Sequence, residues 1–194
     1  MAAYRNQAGA GPLTLEARSL AFLSVLLIAA CTPSDGDPQL ESVSETPRSA
    51  AQAPSASERD AILAPLQGLF DALEAGDAEL LRSVVAPGTL MSFTETRDGT
   101  TTLGTATLDQ LAERITSSPV PLIERMWDPV VRVDGPLATI WTPYDFYAGS
   151  ELSHCGIDAA TLLLSEDGWR IVGLSWTRDQ PPACELHPDG PPAR

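Results

Sequence analysis

Lysine is missing altogether: all twelve cationic residues among the 194 are arginine, set against 26 acidic ones, for a formal charge of −14. So little positive charge disfavours phosphate backbones and bare anionic lipid, and nucleic acid is not an expected partner. Histidine is scarce as well. The two present, His154 and His187, cannot build a zinc site of the usual spacing, so no metal is expected. The chain also lacks a glycine-rich phosphate loop, a Gly-x-Ser-x-Gly elbow and an internal repeat. No cofactor is expected on these grounds.

What is there begins with one apolar run. Leu20, Ala21, Phe22, Leu23, Ser24, Val25, Leu26, Leu27, Ile28, Ala29 and Ala30 lead to Cys31. The run is shorter than the roughly 20 residues a membrane-spanning helix needs, it follows Arg5 and Arg18, and it ends in small residues suited to a peptidase. A buried helix, or a plain secretory signal with an incidental cysteine, would also fit. Ile28-Ala29-Ala30-Cys31 resembles the lipobox of bacterial lipoproteins. That resemblance implies an export signal over residues 1–30, cleavage before Cys31, acylation of Cys31, and a mature chain tied to the cell envelope by lipid alone. Thr32 in place of an acidic residue resembles outer-membrane sorting in Gram-negative cells, with the protein facing the periplasm.

Residues 31–56 carry Pro33, Pro38, Pro47 and Pro54 with only Leu40 and Val43 as sizeable apolar side chains. Such a stretch cannot offset its own ordering entropy and reads as a disordered tether. Residues 179–194 are a Pro-rich C-terminal tail. Between them, 57–178 has room for one domain with a real core. With Cys31 acylated, Cys155 and Cys184 remain as an even pair in an oxidising space, where a disulfide closing a 29-residue separation is the default. Two independent thiols are the alternative.

Inside 57–178 the pattern is helices first. Ser57 offers a cap for a helix bearing Ile62, Leu66, Leu69, Phe70 and Leu73 up to Gly76, with Pro65 either in a first turn or at a kink. Asp77 caps a short second helix, and Thr107 with Gln110 forms a capping box for a third. A small hairpin turns at Arg97-Asp98-Gly99. Four long strands follow at 122–133, 137–147, 152–164 and 169–178, separated by Asp134-Gly135, Gly149-Ser150 and Asp167-Gly168. The layout is α+β: a curved antiparallel sheet wrapping a helix. Pro143 predicts an edge position or a bulge.

Gly76-Asp77 after the first helix, Tyr144-Asp145-Phe146-Tyr147, Ser153-His154-Cys155-Gly156-Ile157-Asp158, Gly168-Trp169-Arg170-Ile171 and Trp176-Thr177-Arg178 together resemble the nuclear transport factor 2-like (NTF2-like) superfamily. The nearest branch is the SnoaL-like or lumazine-binding-like exported proteins. The resemblance implies a cone with a central pocket, often dimeric through the outer sheet face. It implies no single reaction, because one fold hosts many chemistries.

A regular turn at Gly149-Ser150 would pair Tyr147 with Leu152 and, counting on, Asp145 with His154 and Tyr144 with Cys155. Asp145 and His154 would then be either an acid/base dyad or an ordinary pair holding a hairpin. The same count puts Glu124, Asp128, Asp145, His154 and Asp158 on one face, turned away from the pocket. Trp127, Tyr144, Phe146, Cys155, Ile157, Leu163 and Trp176 fall on the other. If that aromatic face lines the cone, Trp127, Tyr144, Phe146 and Trp176, with Arg178 near the end, form a pocket for a small apolar ligand. Three functions follow as expectations: such a binder, a proton-transfer or hydration-type enzyme using Asp145 and His154, or a structural, partner-binding lipoprotein.

Overall fold

Ser55 opens the first helix. In a computed structural model of the chain, which describes residues 53–193, its Oγ accepts the Glu58 amide at 3.2 Å and α1 runs Ala56–Ala75. The helix therefore starts two residues ahead of a Ser57 cap. Ile62, Leu66, Leu69, Phe70 and Leu73 form its buried stripe, and Pro65 lies buried within the helix. Gly76 ends it in the left-handed region, where its amide reaches the Ala72 and Leu73 carbonyls. Asp77 then caps α2 (Ala78–Val84) by accepting the Glu79 and Leu80 amides. The export signal, Cys31 and nearly all of the expected tether lie outside the described residues.

β1 (Val85–Arg97) turns back as β2 (Thr100–Ala106), and the Thr107–Gln110 capping box starts α3 (Leu108–Ser117). β3 (Leu122–Met126), β4 (Val130–Asp134), β5 (Leu137–Ala148), β6 (Glu151–Ser165) and β7 (Gly168–Arg178) complete the chain order. The sheet order is β2-β1-β7-β6-β5-β3, with β4 also on β5. The α+β layout with three helices on a curved sheet is the one read from the sequence.

Two strand expectations change. The stretch 122–133 is two strands, because Asp128 takes φ 47° and Pro129 cannot donate to a ladder. Arg59 of α1 holds the break, donating to the Pro129 carbonyl at 2.7 Å. Pro143 lies opposite this break on β5, where the Trp127 amide meets its carbonyl and no partner needs the N–H it lacks. The sheet is also not wholly antiparallel, since β1 runs parallel to β7.

The core lies between the helices and the sheet. Ile62, Leu66 and Leu81 from the helices meet Val85, Ile140, Leu162 and Ile171 from the strands, all essentially inaccessible. On the outer face Val130, Leu137, Trp141 and Leu163 remain exposed, while the C-terminal residues fold back over the β5–β6 hairpin.

Candidate functional site

The site depends on one extra residue. Tyr147 pairs with Leu152 as a regular hairpin requires, but the next pair is Phe146 with His154, so Ser153 is bulged out of β6. Asp145 then faces Cys155, and Tyr144 faces Gly156. A one-residue slip sends every following side chain to the other face, so His154 and Asp158 point inward with Phe146. The expected Asp145–His154 pair is not formed, and His154 does not point away from the pocket.

The tail secures the bulge. Gln180 donates its side-chain amide to the Ser153 carbonyl, and Cys155 and Asp179 exchange both backbone hydrogen bonds at 3.1 and 2.8 Å. A disulfide joins Cys155 to Cys184. Under this strap Asp145 is fully buried, accepting from Arg125 Nε at 3.0 Å and Nη2 at 2.6 Å and from the His187 amide at 3.0 Å. Its role is to anchor strand and tail together.

Inside the cone is a cavity of about 580 Å³. Leu69 and Leu73 of α1 and Leu122 and Leu174 of the sheet give it apolar surface, and α3 contributes Leu111 and Arg114. Phe93 and Trp176 stack with centroids 5.1 Å apart, and Arg178 lies over Phe93 at 5.3 Å. Phe93 can lie flat there because its partner on β2 is Gly104, over which the ring packs. His154 stacks on Phe146 at 4.8 Å.

The polar groups of the cavity are few and perturbed. His154 is 7% exposed, and burial, with the nearby Arg178 and Arg114 cations, lowers its pKa to about 3. It is therefore neutral at physiological pH. Its Nδ1 lies 3.0 Å from the Ser153 hydroxyl. Glu124 and Asp158 are hydrogen-bonding neighbours whose burial and mutual repulsion push Glu124 well above the usual carboxylate range. Burial raises Asp158 too, so the pair retains a proton near neutrality. The proton shared with Glu124 apart, Asp158 Oδ2 and Arg178 Nε are both buried without a hydrogen-bond partner among the described residues. Among the described residues, no group of three or more His, Cys, Asp or Glu side chains is placed to hold a metal ion.

The structure brings together His154, Phe146, Trp176 and Arg178 of the residues singled out from the sequence. It leaves out three. Trp127 packs edge-on against His187 of the tail, at 5.4 Å. Tyr144 is buried behind the wall, edge-on to His154, with its hydroxyl donating to the Thr177 carbonyl at 2.6 Å. Asp145 is on the far side of the sheet. Cys155, Ile157 and Leu163 likewise leave the inner face assigned to them.

Glu124, Asp158, Phe93 and Arg114 are site residues that the sequence reading did not select. The first two were placed on the wrong face by the unbroken register. Gly156 carried the available signal: a Cβ there would collide with the Thr177 backbone, so β6 and β7 approach abnormally closely beside the bulge. Ile157 accordingly donates to the Thr177 hydroxyl.

No protein-family model and no curated protein matches the sequence. Solved structures do. An NTF2-like protein from Cytophaga hutchinsonii is 18% identical over 62% of this chain and 98% of that one, with a TM-score of 0.51. An NTF2-like superfamily protein from Salmonella enterica serovar Typhimurium is 16% identical over 64% and 92%, with a TM-score of 0.50. A protein of unknown function with a cystatin-like fold from Nostoc punctiforme is 9% identical over 67% and 98%, at 0.52. At these identities the likeness is one of fold, and the fold of this chain is the NTF2-like cone.

Proposed function

We propose that this chain is an exported, lipid-anchored protein whose NTF2-like cone binds a small, mainly apolar molecule. The observation that carries the binding reading is the cavity, about 580 Å³ with stacked aromatic walls and a handful of converging polar groups. Volumes of about 300–1,000 Å³ lined this way are typical of small-molecule sites. The Cys155–Cys184 disulfide supports an oxidising compartment, in keeping with export and a lipid on Cys31. The exposed Val130, Leu137, Trp141 and Leu163 support a homodimer through the outer sheet face.

The test is titration with 1-aminoanthracene, a flat neutral fluorophore. Saturable binding is expected, and Leu111→Trp, which adds bulk to the α3 wall of the cavity, should weaken it about tenfold or more. Absence of saturable binding at any concentration up to solubility overturns the reading.

A second reading, a proton-transfer or hydration-type enzyme, is favoured by one observation: a neutral imidazole and a proton-sharing carboxyl pair line the same cavity. Such groups, with shifted pKa values, are those acid/base catalysis uses. In this form Glu124 and Asp158 take the place once expected of Asp145. Exchange of solvent deuterium into a bound ketone, lost in His154→Gln and Asp158→Asn, would support it.

A further inference from the structure

We infer that the ligand of the cone is an amphipathic organic acid, with its carboxylate on Arg178 and Arg114, a hydroxyl donating to Asp158, and its apolar body along Phe93, Trp176 and Phe146. This rests on the binding reading above and names the ligand class for that same cavity.

Two orphaned atoms define one polar end. Asp158 is 2% exposed and shares a proton with Glu124, yet its Oδ2 accepts from no N–H or hydroxyl donor among the described residues; Arg178 Nε is buried and has no acceptor among them. Buried polar atoms without partners are rare because each has given up its water for nothing. Here one is an acceptor and the other a charged donor, and both residues line the one cavity. Arg178 lies two residues beyond Trp176, the cross-strand partner of Asp158, so the two side chains are diagonal neighbours on the inner face. A ligand that satisfies both must present an acceptor and a donor at one end.

The charge balance selects an anion for the Arg178 side. The guanidinium contacts Glu95 only at 3.6 Å, and Glu95 is engaged more closely by Arg97 at 2.8 Å. Arg114 of α3 adds a second cation to the lining, and at His154 the two arginines outweigh Glu95. His154 itself adds no charge. Glu113 also lines the cavity, and Glu124 and Asp158 share a proton, so the carboxyl pair carries less than its full negative charge. The guanidinium carbon lies 5.3 Å from the Phe93 ring centroid, and a guanidinium resting on an aromatic ring can still direct N–H groups at a carboxylate.

The experiment is displacement of 1-aminoanthracene by matched pairs: 3-phenylpropanoic acid, 2-naphthoic acid and hexanoic acid, each against its primary amide. At least one acid is expected to outcompete its amide by about tenfold or more, a preference removed by Arg178→Gln. 2-Hydroxy-3-phenylpropanoic acid, whose hydroxyl adjoins its carboxylate, should outcompete 3-phenylpropanoic acid by several-fold, and Asp158→Asn should erase that difference. If the fluorophore binds and no acid outcompetes its amide, the inference is overturned while the binding reading stands. If the fluorophore itself does not bind, both fall.

Discussion

Phe146 and His154 face each other across the β5–β6 ladder with their rings stacked, 4.8 Å between centroids, and this pairing decides which chemistry reaches the cavity. Had the hairpin kept its regular register, Asp145 would have held that place opposite the imidazole. Instead the bulge turns His154 and Asp158 into the cavity, where Glu124 of β3 lies opposite Phe146, and the Asp145 carboxylate is buried beneath the C-terminal tail.

Asp145 is consequently a structural anchor. Asp145→Asn removes the charge from a bidentate pair with Arg125 and is expected to lower unfolding stability by about 2 kcal/mol. Affinity for 1-aminoanthracene should stay within about threefold. Urea denaturation and titration of the same preparation check both. A large loss of affinity at unchanged stability would return Asp145 to the site.

The disulfide should matter beyond its own loop. Cys184→Ser is expected to cost about 2–3 kcal/mol, through the freedom regained by the unfolded chain and the loosened strap over Asp145. Denaturation with and without reductant measures it: the native chain should fall to the variant's stability when reduced. Equal stability of oxidised and reduced native protein would contradict the strap's role.

Gly156 should tolerate no side chain. Gly156→Ala places a methyl against Thr177, whose carbonyl accepts from Tyr144 and whose hydroxyl accepts from Ile157, and is expected to lower stability by about 2–4 kcal/mol. Gly88→Ala, at a residue with positive φ and open surroundings, separates the effect of backbone strain alone. Thermal unfolding ranks the two, and Gly156→Ala should be the worse.

Stability should respond to pH in opposite senses at the two polar groups. His154 has a folded pKa lowered from 6.5 to about 3, so its contribution is complete above about 6.5 and is lost as pH falls toward 3. Glu124 and Asp158 are raised, so theirs is complete below the ordinary carboxylate range and is lost as pH climbs, through about 7 for Asp158. Relative to the native chain, His154→Phe should gain on the acid side and Asp158→Asn on the alkaline side, each by about 1–3 kcal/mol. Denaturant titrations across that range read the differences. Parallel profiles for all three proteins would place these groups in water.

Much of the fold was legible because it rests on local rules. Gly76-Asp77 separates α1 from α2, Thr107 and Gln110 cap α3, and the turns at Asp134-Gly135, Gly149-Ser150 and Asp167-Gly168 lie between the strands expected of them. The split at Asp128-Pro129 was written in the sequence too, but apolar residues on both sides masked it. The parallel pairing of β1 with β7 was not legible, since nothing local distinguishes a partner so distant along the chain.

Of the site, residue types and the aromatic wall at Phe146 and Trp176 came from the sequence alone, because period-two alternation and aromatic content are properties of a single strand. Which acids join His154 was decided by tertiary structure. Ser153 bulges where Gln180, Asp179 and Cys184 of the tail grip β6, and these contacts bring together residues far apart along the chain. A register carries no local signature of such a grip, and shifting it by one residue exchanges the two faces of the strand.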